Sequence, residues 1–76
     1  MKAVNKMKYQ VIAKLDEQKY KNSEGLDPKL WPMLKDKIYV LNTWNTLENA
    51  EWSANSHRNY KWSNLDIETI QIVEIN

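Results

Sequence analysis

The sequence predicts a small single domain of the α+β class, a three-stranded antiparallel sheet with one helix packed on one face. Three observations carry this reading. Residues 7–15 alternate apolar and polar side chains, residues 46–58 form the one helix-length stretch with a start signal, and residues 70–75 are rich in isoleucine. At 76 residues there is room for one domain. A domain of this size buries only about 60% of the surface of its unfolded chain, so large side chains must carry its core. Phe is absent, and four Trp and four Tyr take that part.

The first strand is expected at 7–15. Met7, Tyr9, Val11, Ala13 and Leu15 share one face, and Lys8, Gln10, Ile12 and Lys14 share the other. Residues 1–6, basic and without an apolar core, read as a flexible leader. Residues 16–22 are polar apart from Tyr20 and lead to the only glycine, Gly25, which suits a hairpin or a long loop. In residues 26–36, Asp27 can cap a helical turn and Pro28 fits its first position, while Pro32 limits the segment to one or two short turns. Leu26, Leu30, Trp31, Met33 and Leu34 are too concentrated for a free linker and predict a lid that folds back on the sheet.

The second strand is expected at 37–44, where Ile38, Tyr39, Val40, Leu41 and Trp44 are β-formers. A helix follows at about 46–58, capped by Asn45 with Glu48 reaching back and closed by Asn59 in a left-handed conformation. Its inward face is small, made of Leu47, Ala50 and Ala54, so that it can lie close to the sheet. On a helical wheel Trp52 falls about 140° from Leu47. Tyr60 and Trp62 anchor the turn that follows, and residues 65–69 suit a further short turn. In the last strand, 70–75, Ile70 and Ile72 share a face, and a bulge or twist would be needed to bring Val73 or Ile75 onto it.

Composition narrows the class of function. Without cysteine there is no disulfide framework, thiolate metal site or cysteine nucleophile. No apolar run approaches the roughly 20 residues of a membrane span, and the expectation is a cytoplasmic protein without membrane attachment. His57, the only histidine, reads as a helix-end side chain that interacts with the dipole. Glu48 and Glu51, three apart without a matching histidine, favour the helix N-terminus more than a metal. With no Gly-rich phosphate loop either, the expectation is a protein that is not an enzyme and needs no metal or cofactor.

Two binding surfaces remain. Trp52, with Asn49, Asn55 and Ser56 on the outward helix face and Tyr60 and Trp62 just beyond it, would make an aromatic protein-binding surface of the kind enriched at hot spots. The alternative is RNA or single-stranded nucleic acid, held by Lys8, Lys14, Lys19 and Lys21 with Tyr20 to stack a base. Residues 1–21 hold six Lys against Asp16 and Glu17, which favours that alternative, whereas a net charge of +1 and a single Arg oppose it. A third class is a homodimer joined through an exposed strand edge. Nine Asn and ten Lys, both with A-rich codons, fit an AT-rich phage or mobile-element genome. In size and layout, though in no run of residues, the chain looks like small phage accessory proteins that bind and inhibit or modulate a larger host protein. That likeness implies a binding module as the leading expectation and transfers no functional residue.

Overall fold

The structure is a computed structural model and describes residues 7–60 and 63–76; the expected leader at 1–6 and the expected anchor Trp62 lie outside the described residues. Alternation in the first stretch does produce a strand, β1 (Lys8–Ala13), which becomes the middle of the sheet. It is flanked antiparallel by β2 (Tyr39–Trp44) and β3 (Gln71–Ile75), in the order β2-β1-β3. Each strand is a little shorter than its sequence signal, and Leu15 pairs separately with Leu65 beyond the end of β1.

Directly opposed residues of an antiparallel pair share a face. Tyr9 lies opposite Trp44 and Glu74, and Val11 opposite Asn42 and Ile72, which makes one face. Ile12 lies opposite Val40 and Gln71, and Gln10 opposite Thr43 and Val73, which makes the other. The register of β3 is regular, so Val73 and Ile75 stay on the face away from Ile72. The bulge that would have moved them is instead in β2: the pairing slips between Val11 and Ile12, leaving Leu41 as an extra residue. A bulge lets two successive side chains point the same way. Leu41 accordingly packs on the core while Asn42 bonds to the helix above it.

That helix is α3 (Leu47–Asn59). Its cap is Thr46 and not Asn45: the Thr46 hydroxyl accepts from the Asn49 amide at 3.1 Å, while Asn45 Oδ1 accepts from Lys8 Nζ at 3.2 Å. Asn59 stays helical, and Tyr60, in extended conformation, ends the helix by donating its N–H to the His57 carbonyl. The only positive φ among the described residues is at Gly25, so no left-handed Asn is used. Ala50 and Ala54 are fully buried, as their spacing requires, and Ser53 is buried beside them. Leu47 departs from expectation and is 45% exposed. With Ala50, Ser53, Ala54 and His57 turned toward the sheet, the middle of the inward face lies about 70° from Leu47 on the wheel.

The main core joins Val11, Ala13, Ala50, Ala54, Leu65 and Ile70, with Tyr9, Leu15, Leu41, Trp44 and Ile72 packed around it. Burial of a side chain such as Val11 contributes about 1.5–3 kcal/mol, whereas the alanines contribute mainly by letting α3 approach. A second, smaller cluster forms beyond the end of the sheet. The polar stretch after β1 is a short helix, α1 (Glu17–Lys21), capped by Asp16, whose Oδ2 accepts from the Lys19 amide at 2.9 Å. Residues 26–36 fold back as a 3-10 turn at Pro28–Leu30, capped by Asp27, followed by α2 (Trp31–Leu34). Their anchor, Trp31, packs on Tyr20 with ring centroids 5.6 Å apart, and Tyr20 Oη donates to the Asp27 carbonyl at 2.8 Å. The lid therefore closes on α1. Leu26, Leu30 and Met33, expected on the sheet, remain exposed.

Candidate functional site

The outward surface of α3 is where the sequence places a docking surface, and its geometry follows from the helix phase. Buried Ala50, Ser53 and Ala54 fix the inward direction. One hundred degrees per residue then carries Trp52 to about 150° from it, beside Glu48, Asn55 and Asn59. Trp52 is 67% exposed, and it is a large apolar side chain on a helix whose remaining outward residues are polar. Asn49, Asn55 and Ser56, one turn before and after it, are exposed as expected. The Asn55 carbonyl is not free in orientation, because its Oδ1 accepts from Arg58 Nη1 at 2.8 Å. Tyr60 is 57% exposed immediately after the helix, about 12 Å along its axis from Trp52. Trp52, Asn49, Asn55 and Ser56 are therefore together on the exposed side of α3, and Tyr60 follows directly after the helix end.

The residues of the nucleic-acid alternative are dispersed. Tyr20 is 4% exposed, its hydroxyl bound to Asp27, and it offers no ring face to a base. That corrects its expected role as a stacking platform. Lys19 Nζ donates to the Leu65 carbonyl at 3.0 Å, and Lys21 Nζ pairs with Glu17 at 2.6 Å. Lys8 lies on the sheet face away from α3, where its Nζ reaches Asn45, and Lys14 follows the end of β1.

A polar cluster that sequence reasoning missed lies on the inner side of α3. Asn42 Oδ1 accepts from Ser53 Oγ at 2.7 Å and sits 2.7 Å from His57 Nε2. Because a carbonyl oxygen can only accept, the imidazole nitrogen facing it carries the hydrogen. Ser53 and His57 are four residues apart, so one turn of helix brings both onto the same acceptor. Ser53 directs its hydrogen to Asn42 and not to the imidazole, which leaves no hydroxyl–base pair; the three residues latch α3 to β2. The available signal was the i, i+4 spacing of Ser53 and His57 beside Ala54. Only the β2 bulge, which sequence placed elsewhere, turns Asn42 toward them.

Two open clefts lie among the described residues. One of about 420 Å³ runs between α3 and β3, lined by Glu51, Asn55, Arg58 and Ile72. The other, of about 250 Å³, lies at the end of the sheet between Lys14, Ile38, Glu68 and Thr69. Among the described residues, no three His, Asp or Glu side chains converge as a metal ion would need, and no helix is long and apolar enough to cross a membrane. Comparisons with protein-family models, with curated proteins and with solved structures find no match to this chain.

Proposed function

We propose that the chain is a non-enzymatic protein-binding module that docks through the outward face of α3. The observation that carries this reading is the exposure of Trp52, 67%, at the centre of an otherwise polar helix face. An indole held in water exposes a large apolar area, and Trp is among the residues most enriched where partners contribute binding energy. Asn49, Asn55 and Ser56 supply short polar groups around it, a composition that can hydrogen-bond at a rim while the indole is covered. Tyr60 extends the surface past the helix end.

The Asn- and Lys-rich composition supports the finer part of the reading, an accessory protein of a phage or mobile element acting on a larger host protein in the cytoplasm. Docking would inhibit or modulate that protein by stoichiometric occupation of its surface. The experiment is affinity capture from host lysate with the wild-type chain and with Trp52→Ala. The expected result is a defined partner retained by the wild type and lost by the variant at unchanged melting temperature. A partner retained equally by both would remove α3 from the interface. Capture of nucleic acid that declines steeply with salt would support the basic-surface alternative.

A further inference from the structure

The sheet has two outer edges, and they differ. The β2 edge is interrupted by the bulge at Leu41, a device that bends an edge away from pairing. The β3 edge has no such protection: Gln71 to Ile75 keep one unbroken register against β1 and contain no Pro, Lys or bulge. An edge of this kind leaves a row of backbone donors and acceptors available to another strand.

Charge beside that edge is arranged symmetrically. Glu51, Asn55 and Arg58 of α3 line one groove with Ile72 of β3, which sets Ile72 level with this part of the helix. The midpoint between Glu51 and Arg58 falls next to Asn55, at the same level. Arg58 is held toward the edge, because its Nη2 donates to the Ile70 carbonyl at 3.2 Å and its Nη1 to Asn55. Five N–H donors on a guanidinium leave others to spare.

We propose that β3 pairs antiparallel with β3 of a second copy of the chain, about a twofold axis beside Ile72. The product is a continuous six-stranded sheet with both α3 helices on one face. A twofold interface requires a self-complementary patch. The operation exchanges the two ends of the groove, so Glu51 of one protomer faces the partner's Arg58 and the reverse pair forms on the other side. Within the strands Ile72 meets the partner's Ile72, Gln71 meets the partner's Val73, and Ile70 meets the partner's Glu74. No like charges are opposed. Trp52 points about 100° away from Glu51 around the helix, so the dimer leaves both copies of Trp52 open; Asn55, which lines the groove, is shared between this interface and the docking surface.

The test combines mass in solution with amide exchange on the full chain. Light scattering across a concentration series is expected to reach twice the 9.1 kDa chain mass. At the dimeric end every amide from Gln71 to Ile75 should be protected, and alternate ones should lose protection on dilution. Glu51→Arg and Arg58→Glu, each placing like charges across the axis, should weaken the dimer about tenfold, and the double variant should recover most of it. Circular dichroism of each variant separates loss of association from loss of fold. A monomer at all concentrations, concentration-dependent protection on β2 instead of β3, or single reversals that leave a β3-linked dimer unweakened would each overturn the proposal.

Discussion

Asn42 and Ser53 join β2 to α3 through a hydrogen bond of 2.7 Å from the buried serine hydroxyl to the asparagine carbonyl oxygen. His57 shares that acceptor. Removing the acceptor strands two polar groups at once, and each buried unsatisfied group costs about 1–3 kcal/mol. Asn42→Ala should therefore lower the melting temperature markedly, by about 4–8 °C for each kcal/mol lost in a domain of this size. Ser53→Ala removes a single donor and fits a site already lined by alanines, so its effect should be smaller. Thermal denaturation of the two variants checks the order; a greater loss for Ser53→Ala would show that the latch is misassigned.

Two tryptophans should behave oppositely. Trp31 is 9% exposed and packs against Tyr20 with the rings tilted by 40°, whereas Trp52 is 67% exposed. Trp31→Ala should cost about 3 kcal/mol by emptying the cluster between α1 and α2. Trp52→Ala should fall within about 0.5 kcal/mol of wild type, as substitutions away from packed features do. Denaturant titration measures both. Because the Trp31 cluster is separate from the main core, limited proteolysis of Trp31→Ala should cut first within residues 22–36 while the sheet stays intact.

Ala54 sets the distance between α3 and the sheet. Ala54→Leu would insert three carbons into fully occupied space. Overpacking of this kind typically costs about 1–3 kcal/mol. The same change at Asn55, one residue on and exposed, should be nearly neutral. Calorimetric melting of the pair reads the contrast.

The helix start offers a fourth contrast. Thr46→Ala removes the side chain that accepts from the Asn49 amide and should destabilise by about 1 kcal/mol. Asn45→Ala gives up only an exposed contact with Lys8 and should have little effect. Equal losses from both substitutions would return the cap to Asn45.

The three strands and α3 were legible because each has a period or a boundary signal dense enough to read locally. Alternation from Tyr9 to Ala13 and small residues at Ala50 and Ala54 survive whatever surrounds them. The exposed setting of Trp52 was legible for the same reason, since helix phase alone separates it from the alanines. Other features depend on contacts that the local pattern does not contain. Tyr20 reads as an isolated aromatic in a polar run, and its burial comes from Trp31, eleven residues later along the chain. Leu47 was set inward on hydrophobicity, whereas the face was chosen by Ser53 and His57 finding Asn42. Asn45 and Thr46 are both good caps, and the Asn45 side-chain oxygen is engaged instead by Lys8, 37 residues earlier in the chain.

The extra residue at Leu41 has a consequence for how the chain can change length. Ahead of it Tyr39 faces the helix and Val40 faces away; after it Asn42 and Trp44 face the helix and Thr43 faces away. Taking Leu41 out would leave a strand whose remaining side chains still alternate correctly and still meet the same partners on β1. The position thus acts as a splice point, where a one-codon deletion removes one packing side chain and spares the frame of contacts on either side. A deletion at Val40 or Thr43 would turn part of the strand inside out, and loss of Asn42, the other residue of the bulge, would keep the alternation but remove the latch to Ser53 and His57.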